Sequence, residues 1–135
     1  MSEKIRTYRD LRVWQRAMEL VTEAYRLSKQ FPKEEVYGLT SQICQAAVSI
    51  PSNIAEGYAR NSTSDYVRFL RMAAGSLYEC QTQMEIAMNL GYVDQAVVNG
   101  FSCATEEVAR MLSALIRTLE DGKEVNATSN TRSRA

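Results

Sequence analysis

The side chains that most often do chemistry are few in this chain of 135 residues, and their spacing is unhelpful to catalysis. Histidine is absent. The commonest general base and the commonest metal ligand are therefore missing. Cys44, Cys80 and Cys103 lie far apart and form no C-x-x-C pair, so neither a zinc knuckle nor a dithiol redox motif is present. Each falls near an apolar stripe, and all three are expected to be buried, reduced and structural. Glu34/Glu35 and Glu106/Glu107 are adjacent pairs. On helices, neighbouring side chains diverge and cannot converge on one substrate. There is no G-x-S-x-G and no phosphate-binding loop. The expectation is a protein without enzymatic activity, cofactor, metal or small-molecule substrate.

Arginine offers a different chemistry. Arg9, Arg12 and Arg16 step by three and four, as if on one helix face, and Arg68 and Arg71 share another. With Arg6 and Arg60 these are candidate contacts for nucleic-acid phosphates. Net charge is zero, with 16 Lys/Arg and 16 Asp/Glu, but it is unevenly spread. Residues 1–33 carry eight bases and four acids, 34–59 carry no base and three acids, and 76–121 carry two bases and seven acids. Such asymmetry can steer a polyanion or a charged partner.

The elements that must position these residues read as helices. With 45% hydrophobic residues and two prolines, the chain suits one helical domain. From Tyr8 to Gln30, Leu11, Trp14, Ala17/Met18, Val21 and Ala24/Tyr25 have helical spacing. Val13, Leu20 and Leu27 form a second stripe, expected to meet another subunit. A helix is expected to start near Glu34, with Val36, Leu39, Ile43, Ala46 and Ile50 on its seam. A third, about 64 to 90, carries Tyr66, Leu70, Ala73, Leu77, Cys80, Met84 and Ala87, with Ser62 or Ser64 as its N-cap and Gly91 as its C-cap. A fourth, about 94 to 120, carries Val98, Phe101, Thr105, Val108, Leu112, Leu115 and Leu119. Short connections make an all-α, antiparallel up-down-up-down four-helix bundle over residues 1–121. Residues 122–135 are polar and expected to be disordered. No apolar run approaches the roughly 18 residues of a membrane span. The opening MSEKIRTYRD lacks an apolar signal core, so a cytoplasmic location is expected.

One stretch resists this simple reading. In AAVSIPSNIAEGY, Pro51 interrupts apolar residues at helical spacing. Proline cannot donate to the carbonyl four residues back, and it costs a helix interior about 3 kcal/mol. Either the helix ends at Ile50 or it continues with a bend. After Pro51 the apolar seam passes to Ala47, Ile54 and Tyr58.

YRDLRVWQRAMELV, FPKEEVYGLTSQI, AAVSIPSNIAEG and FLRMAAGSLYECQTQMEIAMNLGY together resemble the bacterial four-helix-bundle family named after 23S rRNA intervening sequences. The resemblance runs from about Tyr8 to Leu119. It implies a pentameric ring of bundles, with the second helix bending through its proline. It also implies kinship with the accessory variability determinant of diversity-generating retroelements, which binds nucleic acid and a reverse transcriptase. Ser49, Pro51, Asn53 and Glu56 would then shape the bend or touch a ligand or neighbouring subunit. One departure stands out: Cys44 and Gln45 occupy positions where the family often carries two bases. Two functions follow as expectations. One is a homo-oligomeric adaptor for structured RNA or a reverse transcriptase, and the other a homo-oligomeric protein-binding scaffold.

Overall fold

The computed structural model describes residues 4–122 together with 124, 125, 131 and 132. Four α-helices carry the fold: α1 (Arg12–Ser28), α2 (Leu39–Tyr58), α3 (Thr63–Asn89) and α4 (Gln95–Glu120). Each packs on two neighbours, in the cyclic order α1–α2–α3–α4. The expectation of disorder in 122–135 falls largely outside the described residues. Within it, Glu124 and Val125 pair antiparallel with Arg132 and Thr131.

The heptad character of the core is clearest in α1. Val13, Ala17, Leu20, Ala24 and Leu27 step by four and three, and all are buried in the bundle. This corrects the oligomer seam expected at Val13, Leu20 and Leu27. Those side chains already fill the interior of their own subunit. Alternating small alanines let α1 sit close, and the bulkier stripe turns outward. Met18 and Tyr25 are exposed, while Trp14 and Val21 are half-buried.

The second helix begins later than the apolar spacing indicates. Pro32 leads into a 3-10 turn over Lys33–Glu35, and Val36 is exposed instead of lying on the seam. The reason is a cap. The Glu35 carboxylate accepts the N–H of Leu39 at 3.0 Å, so Leu39 is the first helical residue. Helix α2 then runs uninterrupted through Pro51 to Tyr58. Around the proline, hydroxyls and an amide turn back onto the backbone. Ser49 Oγ donates to the Ala46 carbonyl at 2.9 Å. Ser52 Oγ donates to Val48 O, and Asn53 Nδ2 to Ser49 O, both at 2.8 Å.

The α2–α3 pair packs tightly at its closed end. Ser62 Oγ accepts the N–H of Asp65 and starts α3. Ser49 and Ser76 meet hydroxyl to hydroxyl across the interface. The other end of α3 closes with Gly91 at φ +80°. Tyr92 N–H reaches Ala87 O at 2.8 Å and Gly91 N–H reaches Met88 O at 2.9 Å, a Schellman motif. The seams of α3 and α4 are buried as the spacing indicates, with Tyr66 and Leu119 half-buried at their ends.

Candidate nucleic-acid interface

Antiparallel packing brings the start of α1, the end of α2, the start of α3 and the end of α4 to one end of the bundle. Arg9, Arg12, Arg60, Arg68 and Arg71 all stand there. They come from segments far apart in sequence and are exposed.

Their individual surroundings differ. Arg9 lies in a 3-10 turn (Tyr8–Asp10) before α1, not on the helix face shared with Arg12 and Arg16. The chain turns at Leu11, whose φ of −73° and ψ of 122° are extended. Thr7 and Asp10 form a capping box that fixes this turn. Backbone N–H groups of Arg6 and Thr7 hold the Asp10 carboxyl below its ordinary pKa. The Arg9 guanidinium lies 5.0 Å from the Tyr8 ring centroid. Neither Arg9 nor Arg12 has an ion-pair partner among the described residues.

The other candidates are matched by carboxylates. Arg16 is half-buried and bridges Glu107 on α4 at 2.9 Å and Glu19 at 3.1 Å. It shares a hollow of about 160 Å³ with Arg12, Gln15, Glu19 and Glu107. Arg60 pairs with Glu56 at 2.7 Å, Arg68 with Asp65 at 3.7 Å and Arg71 with Glu120 at 3.0 Å. Arg60 and Arg68 both lie over the Phe69 ring, at 4.6 and 4.7 Å from its centroid. These exposed pairs are worth about 0–1 kcal/mol each, so a phosphate can compete for the arginines. Arg68 and Arg71 pair with different carboxylates.

The residues around Pro51 do not converge on a single notch. Ser49 borders a polar hollow of about 290 Å³ between α2 and α3, with Gln42, Gln45, Glu79 and Gln83. Asn53 bonds to its own helix and Glu56 to Arg60. Pro51 lies on the opposite flank. There it lines an apolar groove of about 320 Å³ between α1 and α2, with Tyr8, Trp14, Met18, Val21, Val48, Ser52 and Ala55. Sequence reasoning missed this groove. Its signal was the run from Gly38 to Ala55, which contains no charged residue. Sequence reasoning also misplaced Cys103. That thiol is exposed, whereas Cys44 and Cys80 are buried.

No group of three or more metal-ligating side chains gathers among the described residues, and no described helix is long and apolar enough to cross a membrane.

Fold and surface thus define a four-helix bundle with an arginine-bearing end and an open apolar groove. The family model for 23S rRNA-intervening sequence proteins matches residues 9–114, and the chain belongs to that family. The fold is also that of a protein of unknown function from the S23 ribosomal protein family of Bacteroides thetaiotaomicron. That crystal structure superposes with a TM-score of 0.72 at 20% identity, covering 78% of this chain and 99% of the other. No curated protein matches the chain significantly.

Proposed function

We propose that this protein is a non-enzymatic, cytoplasmic, homo-oligomeric adaptor that binds structured RNA through its arginine-bearing end, alone or with a reverse transcriptase. The observation that carries this reading is the convergence of the exposed Arg12, Arg60, Arg68 and Arg71 on one end of the bundle, with Arg12 in no ion pair among the described residues. Affinity comes from phosphate contacts, so sequence specificity is low and salt dependence steep. A homopentamer repeats the end five times and turns a modest patch into a multivalent one.

The test is binding of a structured RNA hairpin, and of a DNA hairpin of the same sequence, by the purified protein. Four phosphate contacts should make RNA affinity fall roughly a hundredfold between about 50 and 200 mM salt. Arg12→Glu with Arg68→Glu should remove binding and leave the oligomer intact.

A second reading has its own support. Arg16, Arg60, Arg68 and Arg71 are paired with carboxylates, and the apolar α1–α2 groove is open. These features favour a homo-oligomeric scaffold that binds protein and no nucleic acid. An RNA-free oligomer at low salt would select it.

A further inference from the structure

Tyr37 is 95% exposed and its neighbour Val36 is 53% exposed, at the tip of the turn between α1 and α2. An aromatic ring on a loose loop would call for no explanation, but this turn is held firmly. Glu35 N–H bonds to Pro32 O at 2.9 Å, Val36 N–H to Lys33 O at 3.1 Å and Gly38 N–H to Glu35 O at 2.9 Å. The Glu35 carboxylate caps Leu39 and accepts the Tyr92 hydroxyl at 2.7 Å. Gly38 makes room for it, since a Cβ there would stand 2.6 Å from Glu35 Oε1. The fold therefore holds in place the backbone that carries the Tyr37 knob, which lowers the ordering cost of docking there.

The same molecule carries a matching groove. Trp14, Met18, Val21, Val48 and Pro51 line it, with Met18 43% and Val48 41% exposed. Its α2 wall contains no charge, so covering it desolvates none there. At its lip the Arg9 guanidinium lies over Tyr8, without a carboxylate among the described residues. Beside the knob, Glu34 is exposed. The knob's acid and the groove's base are complementary across two copies. Within one copy the fixed turn leaves Tyr37 in solvent, away from the groove.

We propose that Tyr37 and Val36 of one copy dock in the α1–α2 groove of the next, head to tail, with Glu34 facing Arg9. This rests on the homo-oligomeric reading above and names its surfaces. Such a contact joins two different patches, so it is heterologous and closes into a ring when the rotation permits.

The test uses the full chain. Tyr37→Asp blunts the knob and Val48→Glu blocks the groove. Both sites are exposed, so each variant should stay helical by circular dichroism; Tyr37→Ala is the milder alternative. Each variant alone should be monomeric by light scattering. Their equimolar mixture should form one-to-one dimers and nothing larger, because one intact knob meets one intact groove. Variants that keep the parental mass, or a mixture that stays monomeric, would overturn the docking while leaving the oligomer standing. A parent that is itself monomeric at high micromolar concentration would overturn both and leave the groove to a different protein.

Discussion

Gly57 of α2 lies directly against Phe69 of α3. A Cβ at position 57 would stand 2.8 Å from Phe69 Cβ and 3.1 Å from the Tyr66 carbonyl oxygen. This close approach sets the geometry of the α2–α3 corner, where Tyr58 and Tyr66 meet edge to face at 6.2 Å and where Arg60 and Arg68 cover Phe69.

Gly57→Ala should therefore destabilise the protein, against the gain in helix propensity that the exchange brings to an open helix. Overpacking of a fixed contact costs about 1–3 kcal/mol. The measurement is the midpoint of urea unfolding. Gly75→Ala is the control, because a Cβ there meets nothing within 4 Å. It should stabilise by about 1 kcal/mol.

Glu35 ties the start of α2 to the α3–α4 connection. The Leu39 N–H, and after it the Tyr92 hydroxyl, hold its carboxyl below the ordinary range. A carboxyl with a depressed folded pKa stabilises the fold fully above its unfolded value, near roughly 4.3, and loses that contribution as pH falls through the folded value. Glu35→Gln should lower the melting temperature at pH 7, and the gap to the parent should narrow below about pH 4. A gap independent of pH would show that the carboxylate charge does not hold this turn.

Leu20 separates the two stripes of α1. It is fully buried in the bundle, so Leu20→Asp should unfold the chain, a result visible as lost helicity by circular dichroism. Folded monomers from that variant would mean that Leu20 faces a neighbouring subunit after all.

The cysteines make a simple check of burial. Cys103 is exposed, whereas Cys44 and Cys80 are buried and burial pushes the Cys80 thiol up to about 12. A thiol reagent at pH 8 should label one cysteine per native chain quickly and the other two only after denaturation.

Much of this architecture is legible in the sequence, for a physical reason. Leu70, Ala73, Leu77, Cys80, Met84 and Ala87 repeat at steps that leave α3 a single way to bury its apolar face. Helix α1 offered two apolar stripes, and propensity does not choose between them. The buried face combines Val13, Leu20 and Leu27 of one stripe with Ala17 and Ala24 of the other, and leaves Trp14 half-buried and Tyr25 exposed. The start of α2 was hidden because Val36 fits the helical spacing, while the decisive event is a carboxylate capping a backbone N–H four residues on. The arginines could be found by type, but not their partners on other helices. Glu107 and Glu120 lie 91 and 49 residues away from Arg16 and Arg71, and only the folded bundle brings them together. The knob and groove carry no motif at all and emerge from which side chains remain uncovered.

The central claim is that the arginine-bearing end holds RNA by its phosphates. It is tested most directly by titrating a structured RNA hairpin with the parent protein and with the Arg12→Glu, Arg68→Glu variant, at about 50 and 200 mM salt, with oligomeric mass measured in each buffer. The account predicts that the parent binds at low salt and loses roughly a hundredfold in affinity at the higher salt. It also predicts that the variant does not bind and keeps the parental mass. Equal binding by parent and variant, or no binding by a well-formed oligomer at low salt, would contradict it.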